Sequence, residues 1–156
     1  MSRWIEVSAH TDWLLRAARA APAEPARPPT VSAGLVLLPT GLCFDAVRMP
    51  QSLGMDVLDR GLRQHPRLVG PVLHDRFSRT VYFLVPSDDE PYPWSRLGLR
   101  LVSSGGWLAV PDPVGGPHAG VDWLHLPSRV GRLSGPHWLA GAAIAGLAAR
   151  LAARSA

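Results

Sequence analysis

Arg79-Thr80-Val81-Tyr82-Phe83-Leu84-Val85 decides how this chain is read. Thr80, Val81, Tyr82, Phe83 and Val85 supply β-branched and aromatic side chains, and these make a strand because they fit a pleated, half-buried surface. Successive side chains on a strand leave opposite faces, so Tyr82 and Phe83 point apart and one of the two is less buried. Working outward, Val69–Leu73 is a second strand candidate on the N-terminal side, and Leu99–Val102 and Trp107–Val110 lie on the C-terminal side. The last two flank Ser103-Ser104-Gly105-Gly106, a turn sequence. Further upstream, Leu35–Leu38 and Leu42–Val47 are apolar runs separated by Pro39-Thr40-Gly41, which predicts a hairpin.

Helical spacing brackets these strands. Met55, Leu58 and Leu62 recur through residues 51–64, and Pro66 limits the extension of that helix. A C-terminal helix starts near Pro136, with Ser134 or Gly135 as cap. Residues 11–21 place Trp13, Leu14, Ala17, Ala18 and Ala21 on one face behind a Thr11 cap, and docking of that face on the core is expected. Pro22, Pro25, Pro28 and Pro29 then exclude helix and central strand, so 22–30 reads as an extended linker. The organisation is residues 1–30 as helix plus linker, and residues 31–156 as one domain. The fold class is α+β: a mainly antiparallel central sheet flanked by helices.

Composition bounds the function. The chain has 156 residues, 47% hydrophobic and 18% charged, which is enough for a real core and rules against wholesale disorder. A single cysteine, Cys43, excludes an internal disulfide and a cysteine-based zinc cluster. On an apolar strand it reads as a buried small residue. The longest apolar run, Trp138–Ala149, is 12 residues, too short to span a bilayer, and the N-terminus carries no signal peptide, so a cytoplasmic protein is expected. All 16 basic residues are Arg, and with Ala, Gly and Pro abundant this fits the coding bias of a GC-rich bacterium. The net charge of +4 leans weakly towards a polyanionic partner. The six histidines show no metal-ligand spacing and read as surface residues, with His118 and His125 near loops. Asp88-Asp89-Glu90 reads as a solvated acidic tip.

Three stretches taken together resemble a known family. They are Phe44-Asp45-Ala46-Val47, then Gly70-Pro71-Val72 with Arg79–Val85, then Gly105-Gly106-Trp107-Leu108-Ala109-Val110-Pro111 followed by Gly120 and Trp123. In order and spacing, over about residues 34–127, they are similar to the Prim-Pol domain of bifunctional DNA primase/polymerases, in the archaeo-eukaryotic primase superfamily. The resemblance implies a Prim-Pol-like core, here in shortened form. In that family it implies nucleotide addition at two divalent cations held by carboxylates. The family has an Asp-x-Asp or Asp-x-Glu pair, a His beside a small residue, and an Asp before the Gly-Gly strand. Here Asp45 matches the first carboxylate, but Val47 stands at the second. No His lies within Arg79–Val81, His74 being the nearest, and Arg100 falls near the third position.

The resemblance therefore implies the fold without the chemistry. No catalytic residue is expected beyond the remnant Asp45, no metal site, and Mg²⁺ only alongside a bound nucleotide. The expected function is a non-catalytic module binding nucleic acid or nucleotide through Arg48, Arg79, Tyr82, Arg100 and Trp107, with Trp123 as a further aromatic. Core packing of those aromatics is the competing account. The alternative function is a regulatory or protein-interaction subunit, or a homodimer, using Leu139, Ile144, Leu147 and Leu151 of the C-terminal helix. An active DNA primase/polymerase is disfavoured by the missing carboxylate.

Overall fold

The computed structural model describes residues 9–14, 16, 30–31, 34–88, 90–112 and 120–156. In chain order the elements are β1 (Thr30–Val31), β2 (Leu35–Pro39), β3 (Phe44–Pro50), α1 (Gln51–Gln64), β4 (Val72–Asp75), β5 (Thr80–Pro86), β6 (Arg100–Val102), β7 (Trp107–Pro111), β8 (Val121–His125) and α2 (Pro136–Arg154). Short 3₁₀ turns occupy Pro66–Leu68 and Ser95–Leu97. The strands form two antiparallel sheets, a larger one in the order β6-β3-β5-β4-β8 and a smaller one in the order β1-β2-β7. The fold is α+β. Strand β5 lies between β3 and β4 and is antiparallel to both, so β3 and β4 run the same way. Helix α1 joins them, which makes a split β-α-β unit.

The strand that decides the sequence reading sits at the centre of the larger sheet and divides two cores. Val81, Phe83 and Val85 face the helices, with Val47 and Met49 of β3 beside them. They pack against Leu53, Val57 and Leu58 of α1 and Leu139, Ala142 and Ala143 of α2. The alternate positions Leu84 of β5, Phe44 and Ala46 of β3, Leu73 of β4 and Trp123 of β8 form the second core with Val36, Leu38, Leu108 and Val110 of the smaller sheet. The layers are thus helices, larger sheet, smaller sheet. Helix α1 comes very close to β5 at Gly54, where an added Cβ would lie 2.5 Å from Cβ of Val81.

The hairpin expected between β2 and β3 does not form. Strand β2 pairs with β7, and β3 pairs with β5 and β6. The Ser103–Gly106 turn likewise carries the chain from one sheet to the other. The reason is that the two turns hold each other. Thr40 donates its N–H to the Gly106 carbonyl at 3.0 Å and its hydroxyl to the Ser103 carbonyl at 2.6 Å. Gly41, at φ 88°, lies so near Ser104 that a Cβ would fall 2.3 Å from the Ser104 nitrogen. Together β2–β3 and β6–β7 are one antiparallel ribbon bent at a shared corner, the device by which strands switch between packed sheets.

Other expectations shift locally. The strand read at Val69–Leu73 begins at Val72, because Gly70 is engaged elsewhere: its N–H donates to Ser134 Oγ at 2.9 Å, and its carbonyl accepts from His125 Nδ1 at 3.0 Å. Cys43 is exposed, since it lies in the corner and β3 starts only at Phe44. His10 and His74 are buried rather than at the surface, and each has a polar partner: the Pro127 carbonyl for His10 and Gln51 Oε1 for His74. Residues 9–14 are helical and dock on the second core through Leu14. The rest of the helix read at 11–21 (residue 16 apart), the proline-rich stretch 22–29, Asp89 and His118 lie outside the described residues. Among those described, no helix is long and apolar enough to cross a membrane.

Candidate nucleic-acid interface

Antiparallel register decides which candidate residues meet. Arg48 on β3 stands directly opposite Tyr82 on β5 and directly opposite Arg100 on β6. Tyr82 stands opposite Leu73, and Leu73 opposite Trp123. A single row therefore crosses the larger sheet in the order Arg100, Arg48, Tyr82, Leu73, Trp123, with all five side chains on one face. It is the face that the smaller sheet covers further along, at Phe44, Ala46 and Leu84. Burial falls along the row. Leu73 and Trp123 are core, Tyr82 and Arg48 are half-buried, and Arg100 is exposed. The core-packing account holds for Trp123; Tyr82 keeps an accessible part.

The other candidates lie elsewhere. Arg79 closes the β4–β5 turn in a left-handed conformation, φ 53°, and its carbonyl accepts the Gln51 N–H at 2.9 Å. It is exposed at the end of the sheet and three residues off the row. Trp107 is on β7 of the smaller sheet, 46% exposed. Its neighbours Leu108 and Val110 belong to the second core, so alternation turns Trp107 to the outer face of that sheet. It does not join the arginine row.

Asp45 separates from the arginines altogether. On β3 it alternates with Phe44 and Ala46 and so lies on the helix side of the sheet, across from Arg48. It is 4% exposed and accepts a 2.6 Å hydrogen bond from the Ser87 hydroxyl. A carboxylate there cannot share a ligand with the arginine row, because the sheet lies between them. Among the described residues, no three His, Cys, Asp or Glu side chains are grouped to hold a metal ion.

One residue beside the row escaped the sequence reading. Asp75, at the end of β4, accepts hydrogen bonds from the backbone N–H groups of Phe77 and Ser78 and from the Ser78 hydroxyl, at 3.0, 3.2 and 2.6 Å. Partial burial raises its pKa, but those hydrogen bonds and the nearby Arg48 charge outweigh it, so the carboxyl sits below its ordinary range. The signal was present as Asp75-Arg76-Phe77-Ser78, an Asp opening a turn whose backbone it can bond. Arg76 pairs with Asp122 at 3.0 Å in the same region.

The C-terminal stripe divides in two. Leu139 is fully buried in the first core and is not available to a partner, which corrects its reading as an interface residue. Leu147 is half-buried against the same core. Ile144 and Leu151 are 48% and 64% exposed, one above the other at a spacing of seven. Helix α2 rests on α1, so only its far side faces outward. With the geometry in place, comparison with known proteins adds no family: no protein-family model, no curated protein and no solved structure matches the chain.

Proposed function

We propose that this protein is a non-catalytic module that binds single-stranded nucleic acid, or a nucleotide, on the Arg100–Arg48–Tyr82 row. The observation that carries the reading is the direct pairing of Arg48 with Arg100 across neighbouring strands. Like charges directly opposite one another in a sheet are unfavourable by a fraction of a kcal/mol. An anion seated between two guanidinium groups relieves that repulsion, and phosphate suits their planar donor forks. Tyr82, next in the row, offers a ring on which a base stacks, worth about 1–3 kcal/mol per base. Asp75 limits the site on one side, since a phosphate moved towards it meets a carboxylate whose charged form is favoured.

The same reading takes the chain as a shortened Prim-Pol-like core, cytoplasmic, whose cleft chemistry is lost. The split β-α-β unit is compatible with it, and the sheet between Asp45 and the arginines supports binding without nucleotidyl transfer. The test is fluorescence anisotropy of a labelled single-stranded oligonucleotide at low and at physiological salt. Saturable binding that weakens with salt, and that Arg48→Ala with Arg100→Ala abolishes, is expected. No binding at either salt, or binding indifferent to the double substitution, overturns the reading.

A second reading has its own observation. Ile144 and Leu151 leave an apolar strip on the outer side of α2 that suits a protein partner or a second copy. A mass that rises with concentration and returns to monomer in Leu151→Asp would favour it over nucleic-acid binding.

A further inference from the structure

On the opposite side of the larger sheet, between the start of β3, the 86–94 segment and the start of α2, lies a cavity of about 130 Å³. Asp45, Asp88, Glu90, Tyr92, Trp94 and Pro136 are among its walls. Asp45 is the buried part, and Asp88 and Glu90 are exposed at its rim. Tyr92 and Trp94 stand side by side, ring centres 5.7 Å apart and tilted by 35°. The Tyr92 hydroxyl donates to Glu90 Oε2 at 3.0 Å. Burial of the phenol and that hydrogen bond, with the charges of Glu90 and Asp88, push its pKa up to about 12, so it stays a donor.

The chemistry has one sign. A carboxylate withdrawn from water is costly unless a cation faces it. Asp45 has the Ser87 hydroxyl, and among the described residues no basic side chain lies within ion-pair distance of it. Aromatic faces beside carboxylates are the setting in which organic cations are held. Two features act the other way. The N-terminus of α2 carries about half a positive charge, and His137, which lies 3.6 Å from Glu90 and is exposed, adds charge when protonated. Three carboxylates outweigh the helix end. An organic cation is a better match than a metal ion, because among the described residues no three His, Cys, Asp or Glu side chains are grouped as ligands.

We propose that this cavity binds one small organic cation, an alkylammonium or guanidinium head, with Asp45 as its buried counter-charge and Tyr92 and Trp94 as its aromatic wall. A dry cavity of about 150 Å³ takes a molecule the size of benzene, which sets the limit on the head group. The site is independent of the arginine row, from which the sheet separates it.

The experiment is isothermal titration of the full chain with tetramethylammonium chloride, methylguanidinium chloride and sodium chloride. Saturable binding of at least one organic cation and none of sodium is expected. Asp45→Asn keeps an acceptor for Ser87 and should weaken binding about tenfold or more. Tyr92→Leu should weaken it about threefold or more. Arg48→Ala with Arg100→Ala should leave it unchanged, so this proposal and the nucleic-acid reading fail separately. Blocked arginine, N-acetylarginine methylamide, separates the sources: tighter binding than methylguanidinium assigns the site to a peptide side chain, equal or weaker binding to a free small molecule. An equal response to sodium, or Asp45→Asn binding as the parent does, overturns the proposal. Should Asp45→Asn not fold, Glu90→Gln at the exposed rim decides: an unchanged affinity overturns the proposal, a weaker one supports it.

Discussion

The two faces of β3 and β5 obey different rules although they are drawn from the same strands. On the helix side, Val47, Met49, Val81, Phe83 and Val85 form an unbroken aliphatic and aromatic surface that α1 and α2 seal. The one charge there, Asp45, sits at the strand's end where the helices give way to the 86–94 segment. On the other side the smaller sheet covers Phe44, Ala46 and Leu84, and one step along the strands the row turns to Tyr82, Arg48 and Arg100. The helix side is specified for burial; the other is specified for burial at one end and for charge at the other. That difference predicts which substitutions unfold the protein and which change only what it binds.

The sharpest contrast is between neighbours. Phe83→Ala should cost about 3–5 kcal/mol, because the ring is fully buried and its loss leaves a cavity that α1 and α2 cannot close. Tyr82→Ala, one residue away, should cost far less stability and instead weaken oligonucleotide binding. Urea midpoints for both variants check this; equal losses would mean that the Tyr82 face is as sealed as the other.

The shared corner offers the next largest effect. Gly41→Ala meets both a strained backbone and the Ser104 nitrogen, so a loss of about 3 kcal/mol is expected. Gly105→Ala, at φ 79° with open space around it, should cost only the backbone strain, about 1–2 kcal/mol. Equal effects in thermal unfolding would break the idea that the two turns lock each other.

That corner also marks where the sequence stops being legible. Periodicity located the central strand, both helices and the turns, since local side-chain pattern sets them. It could not tell a hairpin from a corner: Pro39-Thr40-Gly41 and Ser103–Gly106 read alike in both, and the partner that decides is about sixty residues distant. Alternation told Tyr82 from Phe83, yet the meeting of Arg48 with Arg100 and the exile of Asp45 needed the register of three strands. Leu139 and Ile144 share an apolar pattern on α2, and only the position of α1 shows which is core. The cavity joins residues of four separate segments, for which no local signal exists.

A smaller effect of opposite sign tests the arginine pair. Arg100→Thr removes one of two like charges and adds a β-branched residue to an edge strand, so stability should rise by about 0.2–1 kcal/mol. Oligonucleotide affinity should fall, and the dependence of binding on salt should become shallower by about one unit of slope. Stability lost together with affinity would make Arg100 a structural residue and remove the argument for an anion.

The smallest effect is confined to acid. Asp75 has a folded pKa below its unfolded value near 4, so it contributes stability at pH above that value. The contribution fades as pH falls through the folded pKa, where the native carboxylate also takes up its proton. Asp75→Asn should therefore lower the urea midpoint by a constant amount from pH 7 to about pH 5, and the gap to the parent should close below about pH 4. In the Arg48→Ala background the gap at pH 7 should be smaller, since one of the charges that favours the ionised form is gone. A gap that persists unchanged to pH 3 would show that the carboxylate's charge is not what stabilises the turn, since by then the Asp75 side chain is taking up its proton. The turn would then be independent of the arginine row, and Asp75 would lose its role as the boundary of the proposed phosphate site.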